Sequence, residues 1–169
     1  MNLDAVFAEH RDAVCRYVTR YTGDADLAED IVQEVFWRLS RRPFGAPTHV
    51  KGWLFRVATN LAKDARKVAR RRQELALVAR AESPAAAPLD PSELLERAEL
   101  RRRIRSAVAG LSDKERTALL LREEGFAHHE IAAAVGTTTG SVGTLVARTL
   151  AKLAQRLELE RGVMEGQGR

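Results

Sequence analysis

The side chains best suited to chemistry form a row of basic and amide groups in the first half of the chain. They recur at spacings of four, three, four and three, which places them on one face of a helix: Arg56, Asn60, Lys63, Lys67 and Arg70. Such a row can follow a phosphate backbone, while Asn60 hydrogen-bonds a base edge and Trp53 stacks on an exposed base. A solvated charged face and a core position for Trp53 are the alternative interpretations.

A second candidate surface precedes this row, in a helix predicted from about Asp24 to Arg41. Its polar side carries Asp30, Gln33, Glu34, Trp37 and Arg41. An aromatic side chain among carboxylates is a common anchor in protein interfaces, and packing of Trp37 against a neighbouring loop is the alternative. Asp30 and Glu34 at helical spacing suit contact better than acid–base catalysis. Because the sequence also lacks a glycine-rich phosphate loop and a nucleophile elbow, we expect a binding protein and no enzyme.

The composition favours a polyanionic partner and gives no sign of a metal site. The 169 residues include 28 Lys and Arg against 23 Asp and Glu, a formal net charge of +5. The single cysteine, Cys15, excludes an internal disulfide, and no metal-ligand spacing joins it to the four histidines. We therefore expect no metal and no other cofactor. Neither a signal peptide nor a membrane-length apolar run is evident, which predicts a cytoplasmic protein without membrane insertion.

An all-α fold with two small helical domains is predicted to position these surfaces. Apolar residues recur at helical spacing through most of the chain, and strand patterns are nearly absent. The segment ESPAAAPLDP, from Glu82 to Pro91, predicts a flexible linker because its prolines interrupt helices. A long surface loop within one domain is the alternative. The predicted divisions are a first domain over 1–80, a linker over 81–92, a second domain over 93–160 and a disordered tail over 161–169.

Three helices are predicted in the first domain. The core stripe of the first helix, which ends near Gly23, is Phe7, Val14, Tyr17, Val18 and Tyr21. The second directs inward Leu27, Ala28, Ile31, Val32, Val35, Phe36 and Leu39. The third, from about Lys51 to Arg72, directs inward Leu54, Val57, Ala58, Leu61, Ala65 and Val68.

The second domain opens with a helix whose start is marked by Asp90, Pro91 and Glu93. Its predicted core side chains are Leu94, Leu95, Ala98, Ile104 and Val108. Ser112 and Glu115 then form a capping-box pattern ahead of a helix whose predicted core residues are Ala118, Leu119 and Leu121.

A helix-turn-helix is predicted at the end of this domain. A helix over Glu130 to Val135 closes at Gly136, and Thr138 caps a helix over Ser141 to Leu153. Two helices joined by a tight glycine turn are typical of a helix-turn-helix. The alternative is a helical hairpin of a protein-binding bundle, which has the same pattern. The predicted core set is Ile131, Ala132, Val142, Leu145, Val146 and Leu150.

In a helix-turn-helix, the second helix enters the major groove. Its N-terminal side chains reach base edges, and later basic side chains lie near phosphates. The predicted base-edge residues are Thr139, Ser141 and Thr144, and the predicted phosphate contacts are Arg148 and Lys152.

Three runs of the sequence match one family pattern when taken together. They are AEDIVQEVFWRL (Ala28 to Leu39), WLFRVATNLAKDARK (Trp53 to Lys67) and LSDKERTALLLREEGFAHHEIAAAVGTTTGSVGTLVARTLAKL (Leu111 to Leu153). In this order they resemble the two domains of extracytoplasmic-function sigma factors. The resemblance implies a transcription initiation factor that binds core RNA polymerase and directs it to specific promoters. The alternative is a self-contained DNA-binding repressor or activator, which would leave the acidic face and Trp37 without a role.

The resemblance implies protein partners for both domains. Asp30, Gln33 and Glu34 would meet the coiled-coil clamp helices of the polymerase β′ subunit, with Trp37 on the same face. The second domain would also touch the β flap. Family members are commonly held inactive by an anti-sigma protein, which can hold them at the membrane.

The resemblance also divides promoter reading between the domains. The loop from Arg42 to Val50 and the helix with Asn60 and Asp64 would read the minus-10 element as its strands separate, with one base flipped out of the stack. The minus-10 candidates are Trp53, Arg56, Asn60, Lys63, Asp64 and Lys67. The second domain would read the minus-35 element as duplex.

The recognition helix departs from the usual family pattern. Members commonly place an arginine near Leu145 and an Arg-Ala pair where Arg148 and Thr149 stand. Gly140 and Gly143 also fall in this helix, where each costs up to about 1 kcal/mol relative to alanine. A pliant helix or a close approach to the DNA backbone would follow from these glycines.

Overall fold

Seven α-helices make up the secondary structure in a computed structural model of the chain, which describes residues 2–42, 47, 49–79 and 93–166. They are α1 (Leu3–Thr22), α2 (Ala25–Ser40), α3 (Val50–Ala79), α4 (Glu93–Ala109), α5 (Asp113–Glu123), α6 (His128–Val135) and α7 (Thr139–Gly166). No strand occurs in these ranges, so the predicted all-α fold is confirmed. The first domain packs α1, α2 and α3 together, and the second packs α5, α6 and α7 with α4 against α7.

The structure describes only part of the predicted domain boundaries. The linker over 81–92, with the expected helix start at Asp90 and Pro91, lies outside the described residues. The same holds for the side chains of Leu94, Leu95 and Ala98. Within the tail predicted over 161–169, residues 161–166 continue α7, and 167–169 lie outside the described residues. Residues 158–161 are Glu, Leu, Glu and Arg, all of which have adequate helix propensity.

A glycine turn sets the corner between α1 and α2. Gly23 has a φ of 81°, a left-handed conformation that glycine adopts without a Cβ penalty, and its N–H donates to the Thr19 carbonyl at 2.8 Å. Asp24 follows as the N-cap of α2, because its carboxylate accepts from the Leu27 N–H at 3.0 Å. This short turn brings α2 back antiparallel beside α1.

The core of the first domain follows the predicted stripes with two exceptions. Tyr17 is fully buried and its hydroxyl lies 2.6 Å from Thr59 Oγ1. Phe7, predicted in the core, is 41% exposed and packs edge-on against Phe36 near the edge of the domain. Val68, also predicted inward, is 50% exposed. Thirty residues make α3 longer than α1 and α2, so its later turns extend beyond their cover.

The core of the second domain contains Ile131, Ala132 and Val142 as predicted. Ile104 and Leu150, also predicted inward, are 43% and 52% exposed. On α7 the buried side is set by Val142 and Thr149, and Leu150 is turned about 100° from Thr149 around the helix axis. On α4 the buried residue is Ala107, one turn beyond Ile104, where α4 packs against α7.

The capping box predicted at α5 is present and also holds α7. Ser112 Oγ accepts from the Glu115 N–H at 3.3 Å, and the Ser112 N–H donates to Glu115 Oε2 at 2.8 Å. Lys152 Nζ donates to both Glu115 oxygens, at 2.9 and 3.0 Å. Partial burial alone would raise the pKa of Glu115, but the hydrogen bonds from Lys152 and Ser112 together hold that pKa below its ordinary value.

A buried arginine for which the sequence pattern predicts no role lies in the core of the second domain. Arg116 is fully buried and has backbone carbonyls as its hydrogen-bond acceptors. Its Nη2 donates to Val108 O at 2.7 Å, Ala109 O at 2.8 Å and Leu111 O at 3.1 Å. Because these carbonyls belong to the end of α4 and the turn after it, one guanidinium satisfies acceptors that a helix C-terminus leaves unpaired.

Arg116→Met should lower the free energy of unfolding by about 3 kcal/mol, since the buried carbonyls lose their donor while the apolar volume is kept. Urea-induced unfolding of the full chain, followed by far-UV circular dichroism, measures the change. Arg122→Met is the matched control, because Arg122 is exposed on the same helix and should shift stability by less than about 0.5 kcal/mol. Equal unfolding midpoints for the two variants would contradict this role of Arg116.

Candidate nucleic-acid and protein interfaces

The polar face of α2 is exposed, as predicted. Asp30 and Gln33 are exposed, and Trp37 is 54% exposed. The Arg41 guanidinium lies 5.3 Å from the centre of the Trp37 ring, within cation–π range. Glu34 is only partly exposed and accepts from Arg38 Nε at 2.7 Å. Asp30, Gln33 and Trp37 are therefore the members of this face that remain open to a partner.

The basic row of α3 also lies on the surface. Its exposed members are Arg56, Asn60, Asp64, Lys67 and Arg70, and Lys63 is half-buried. Trp53, at the start of the same helix, is half-buried, and the Arg42 guanidinium lies 5.5 Å from its ring centre. Trp53 is therefore neither a full core residue nor a free side chain, and one part of its ring remains accessible.

A cleft of about 590 Å³ lies between the two domains. The wall from the first domain includes Trp53, Arg56 and Asn60. The opposite wall, from the second domain, includes His129 and Glu130 at the start of α6. The structure thus brings three of the predicted minus-10 residues together, but it places them opposite the helix-turn-helix domain.

Aromatic and hydroxyl contacts join the two domains beside this cleft. The rings of Phe55 and Phe126 pack edge-on with their centres 5.0 Å apart. The Tyr21 hydroxyl lies 3.3 Å from Thr117 Oγ1. Burial raises the pKa of Tyr21 to about 12. The Arg116 guanidinium lies 5.2 Å from the Tyr21 ring and donates to the Tyr21 carbonyl at 3.4 Å.

Charged contacts surround these groups. Arg20 Nη1 lies 3.0 Å from Glu123 Oε2, and Arg66 Nη1 lies 2.7 Å from Asp113 Oδ1. Lys51 Nζ donates to the Glu124 carbonyl at 2.8 Å and lies 4.8 Å from the Phe126 ring centre. We call the contacts Arg20–Glu123, Lys51–Glu124 and Arg66–Asp113 the charged interface. No sequence pattern predicts these pairings, because each joins residues far apart in the chain.

The predicted recognition helix is α7, which begins two residues earlier than expected. Thr139, Ser141, Thr144 and Arg148 are exposed. Lys152 is half-buried and pairs with Glu115, so this carboxylate competes with a phosphate for its ammonium group.

The glycines of this helix have different surroundings. A Cβ added at Gly140 would meet open space, whereas one added at Gly143 would lie 3.8 Å from His128 Cε1. Gly136, between α6 and α7, has a φ of 64° and closes the turn as predicted.

Neither metal binding nor membrane crossing finds support in the part of the chain that the structure describes. No three His, Cys, Asp or Glu side chains there are grouped to hold a metal ion. None of the described helices combines the length and apolar character that crossing a membrane requires. Cys15 is half-buried, with its Sγ 3.5 Å from Glu29 Oε1.

Family models match both domains. Sigma-70 region 2 matches residues 6–72, which include α2 and the exposed row of α3. Sigma-70, region 4 matches residues 101–153, which include the helix-turn-helix.

Curated relatives carry sigma-factor names. The ECF RNA polymerase sigma factor SigL of Mycobacterium tuberculosis is 34% identical over 144 residues, covering 82% of this chain and 78% of the relative. The ECF RNA polymerase sigma factor SigE of Mycolicibacterium smegmatis is 32% identical over 151 residues, and the match covers 86% of this chain but only 57% of that relative. CarQ of Myxococcus xanthus is 31% identical over 159 residues, 92% of this chain and 89% of CarQ.

Solved structures agree with these matches. The sigma factor RpoE in complex with the anti-sigma factor NepR from Bartonella quintana has a TM-score of 0.66 and 25% identity, with 92% of this chain and 96% of that chain covered. CnrH in complex with the cytosolic domain of CnrY has a TM-score of 0.60 at 22% identity, covering 93% of this chain and 88% of that chain, which supports the fold alone. Since the SigL match exceeds 30% identity over most of both chains and the family models match both domains, this chain belongs to the extracytoplasmic-function family of RNA polymerase sigma factors.

Proposed function

We propose that this chain binds core RNA polymerase and directs it to specific promoters, reading the minus-35 element as duplex and the minus-10 element as it melts. The observation that carries the proposal is the exposed face of α3, where basic side chains are aligned with Asn60 and lie beside the accessible part of Trp53. A helix-turn-helix with an exposed recognition face stands in the other domain. No catalytic step is proposed for the chain, and no metal or other cofactor.

The proposed polymerase contact is the face of α2 that carries Asp30, Gln33, Glu34 and Trp37. A half-exposed tryptophan beside exposed polar groups supports an interface, because buried aromatic anchors contribute much of the energy of protein association. By family resemblance the partner is the clamp helix pair of the β′ subunit. The pair between Glu34 and Arg38 leaves Asp30 as the carboxylate that is free to meet a basic partner.

The proposed minus-10 contact joins the α3 face to promoter DNA in single-stranded form. Stacking of an unpaired base on Trp53 would contribute about 1 to 3 kcal/mol, which is comparable to the cost of flipping a base at a weak duplex. Asn60 is placed to hydrogen-bond the edge of such a base. The basic members of the row, Arg56, Lys63 and Lys67, would neutralise nearby phosphates, and Asp64 lies at the edge of the same surface.

The proposed minus-35 contact places α7 in the major groove. Thr139, Ser141 and Thr144 would meet base edges, and Arg148 would meet a phosphate. Lys152 can join only if its ion pair with Glu115 opens, so we assign it a smaller share of the phosphate contact. The same domain would touch the β flap of the polymerase.

An anti-sigma protein is a further proposed partner. The RpoE structure is a complex with the anti-sigma factor NepR, and its match covers 92% of this chain at 25% identity. We propose a cytoplasmic location, with membrane association only through such a partner.

Charge reversal at Asp30 and Glu34 tests the polymerase contact. The double variant Asp30→Lys/Glu34→Lys should bind core polymerase on the order of tenfold more weakly, since like charges would face the partner, while the melting temperature stays nearly unchanged. Binding is measured by fluorescence anisotropy with labelled chain. The control is Glu9→Lys/Asp12→Lys, which reverses two exposed carboxylates on α1. Equal affinity of the two double variants for core polymerase would show that the α2 face is not the contact.

Asn60→Ala tests the reading of melted DNA. Open-complex yield on a duplex promoter should fall about fivefold to tenfold, as expected for one lost hydrogen bond to a base. On a template mismatched across the minus-10 region the defect should shrink, because strand separation no longer limits the open-complex yield. The defect that remains on this template reports the lost contact to the base. The promoter fragments for this test are first selected from a fragment library by run-off transcription with core polymerase. A normal open-complex yield from the duplex would contradict the role of Asn60.

Arg148→Ala tests the minus-35 contact. Loss of one phosphate contact should weaken closed-complex binding and lower the slope of log affinity against log salt by about one unit. A pre-melted template should not restore binding, because the minus-35 element remains duplex. Arg122→Ala is the control, since Arg122 is exposed on α5 of the same domain. Rescue of Arg148→Ala by pre-melting would instead place Arg148 in the melting step.

A further inference from the structure

Another cavity, of about 320 Å³, lies where α1 ends beside the last turns of α4. Its described lining contains four arginines from three helices and no carboxylate. The arginines are Arg20 of α1, Arg66 of α3, and Arg102 and Arg105 of α4. We call this cavity the arginine pocket. None of its arginines is among the residues assigned above to the polymerase or the promoter.

The arginines of this pocket have more hydrogen-bond donors than the protein satisfies. Arg105 is exposed, and no ion pair or side-chain hydrogen bond joins it to any residue that the structure describes. The other three each have one close carboxylate partner, which is Glu123 for Arg20, Asp113 for Arg66 and Glu99 for Arg102. A guanidinium has five N–H donors, and the pairs of Arg20 and Arg102 engage one terminal nitrogen each. These side chains therefore keep donors for a further acceptor.

The helix ends at this pocket do not supply that acceptor. The carbonyls at a helix C-terminus carry partial negative charge, and both α1 and α4 end here. However, the buried Arg116 donates to Val108 O and Ala109 O, and the Gly23 N–H donates to Thr19 O. Arg116 also adds a positive charge behind the wall of the pocket. The excess of donors is therefore directed at something other than the backbone.

The chemistry of the pocket fits linked phosphates. The planar fork of a guanidinium matches phosphate oxygens and binds them in pairs. The cavity is roughly ten times the volume of one water molecule in the liquid, about 30 Å³, so it has room for more than one phosphate. Tyr21 is part of the lining but is only 2% exposed, so its ring offers no open face on which a base could stack.

We propose that the arginine pocket binds an oligophosphate anion, either inorganic or carried by a nucleotide. Arg105 provides the first contact, and the remaining donors of Arg20, Arg66 and Arg102 surround the phosphate chain. The Ser106 hydroxyl on the same wall adds a neutral donor. The phosphates are recognised and a base remains outside. This site goes beyond the proposed function, because it requires neither polymerase nor promoter.

Binding of inorganic pyrophosphate to the full chain tests the site. Isothermal titration calorimetry is run at about 0.15 M ionic strength, where attraction between distant exposed charges is screened. The parental chain should bind one pyrophosphate, and Arg105→Gln should weaken binding about tenfold through the loss of charge-assisted hydrogen bonds. Arg122→Gln is the matched control, because it makes the same charge change at an exposed position outside the pocket. Equal losses in the two variants, or no saturable binding by the parental chain at millimolar pyrophosphate, would overturn the proposal.

Arg105→Lys separates guanidinium recognition from charge. Lysine keeps the positive charge but lacks the planar fork, so this variant should recover only part of the affinity that Arg105→Gln loses. Parental affinity in Arg105→Lys would overturn the assignment of a bidentate contact to this side chain.

Glu99→Gln provides a test that unfolding cannot imitate, because a gain in affinity is expected. Removing this carboxylate frees Arg102, and pyrophosphate should bind about threefold more tightly. The control is Glu9→Gln, which makes the same charge change at an exposed position of α1. Equal affinities of these two variants for pyrophosphate would remove Arg102 from the site.

A ligand series tests the chemical class. Affinity should rise from phosphate to pyrophosphate to tripolyphosphate, and adenosine diphosphate should bind about as tightly as pyrophosphate. A much tighter adenosine diphosphate complex that also depends on Arg105 would overturn the claim that the base remains outside. A short single-stranded oligonucleotide that displaces pyrophosphate and loses affinity in Arg105→Gln would instead make the pocket a nucleic-acid contact and overturn the proposed oligophosphate site.

Discussion

The burial of one charge organises the second domain and its contact with the first. Arg116 has no carboxylate partner among its described contacts, and a buried cation is tolerated only where other groups satisfy its donors. The end of α4 supplies the carbonyls of Val108 and Ala109, and the following turn supplies that of Leu111. The angle between α4 and α5 is thereby tied to the guanidinium. Tyr21 of the first domain also contacts the Arg116 guanidinium, through its carbonyl oxygen and its ring.

Most of the hydrogen bonds of Arg116 stay within its own domain. Within the second domain Arg116 has three carbonyl acceptors, at 2.7 to 3.1 Å. Its contacts across the interface are the longer hydrogen bond to the Tyr21 carbonyl and the cation–π contact with the Tyr21 ring. Glu115 adds a second internal tie, because it caps α5 and holds Lys152 of α7 at the same time. The helix α7 is thus tied to α5 of its own domain.

The first domain separates its surfaces by helical periodicity. α2 and α3 bury their apolar sides against the same core, and their exposed sides differ in chemistry, with Asp30, Gln33 and Trp37 on α2 and the basic row with Arg56 and Lys67 on α3. Each helix can therefore meet a different partner without a change in the core. Trp37 leaves about half of its aromatic surface exposed, as is common for a side chain that anchors a protein interface.

The sequence by itself determined the helices, their caps and the exposed rows, because these depend on spacing and on neighbours within one turn. Gly23, the Ser112–Glu115 box and the α3 row were all predicted correctly. Phe7, Val68, Ile104 and Leu150 were not, because an apolar residue at the right spacing is buried only where another element covers it. Only the tertiary structure decided the burial of Arg116, the pairing of Lys152 and the charged interface. The sequence identifies a charged side chain but does not specify which distant carbonyl or carboxylate the fold brings to it.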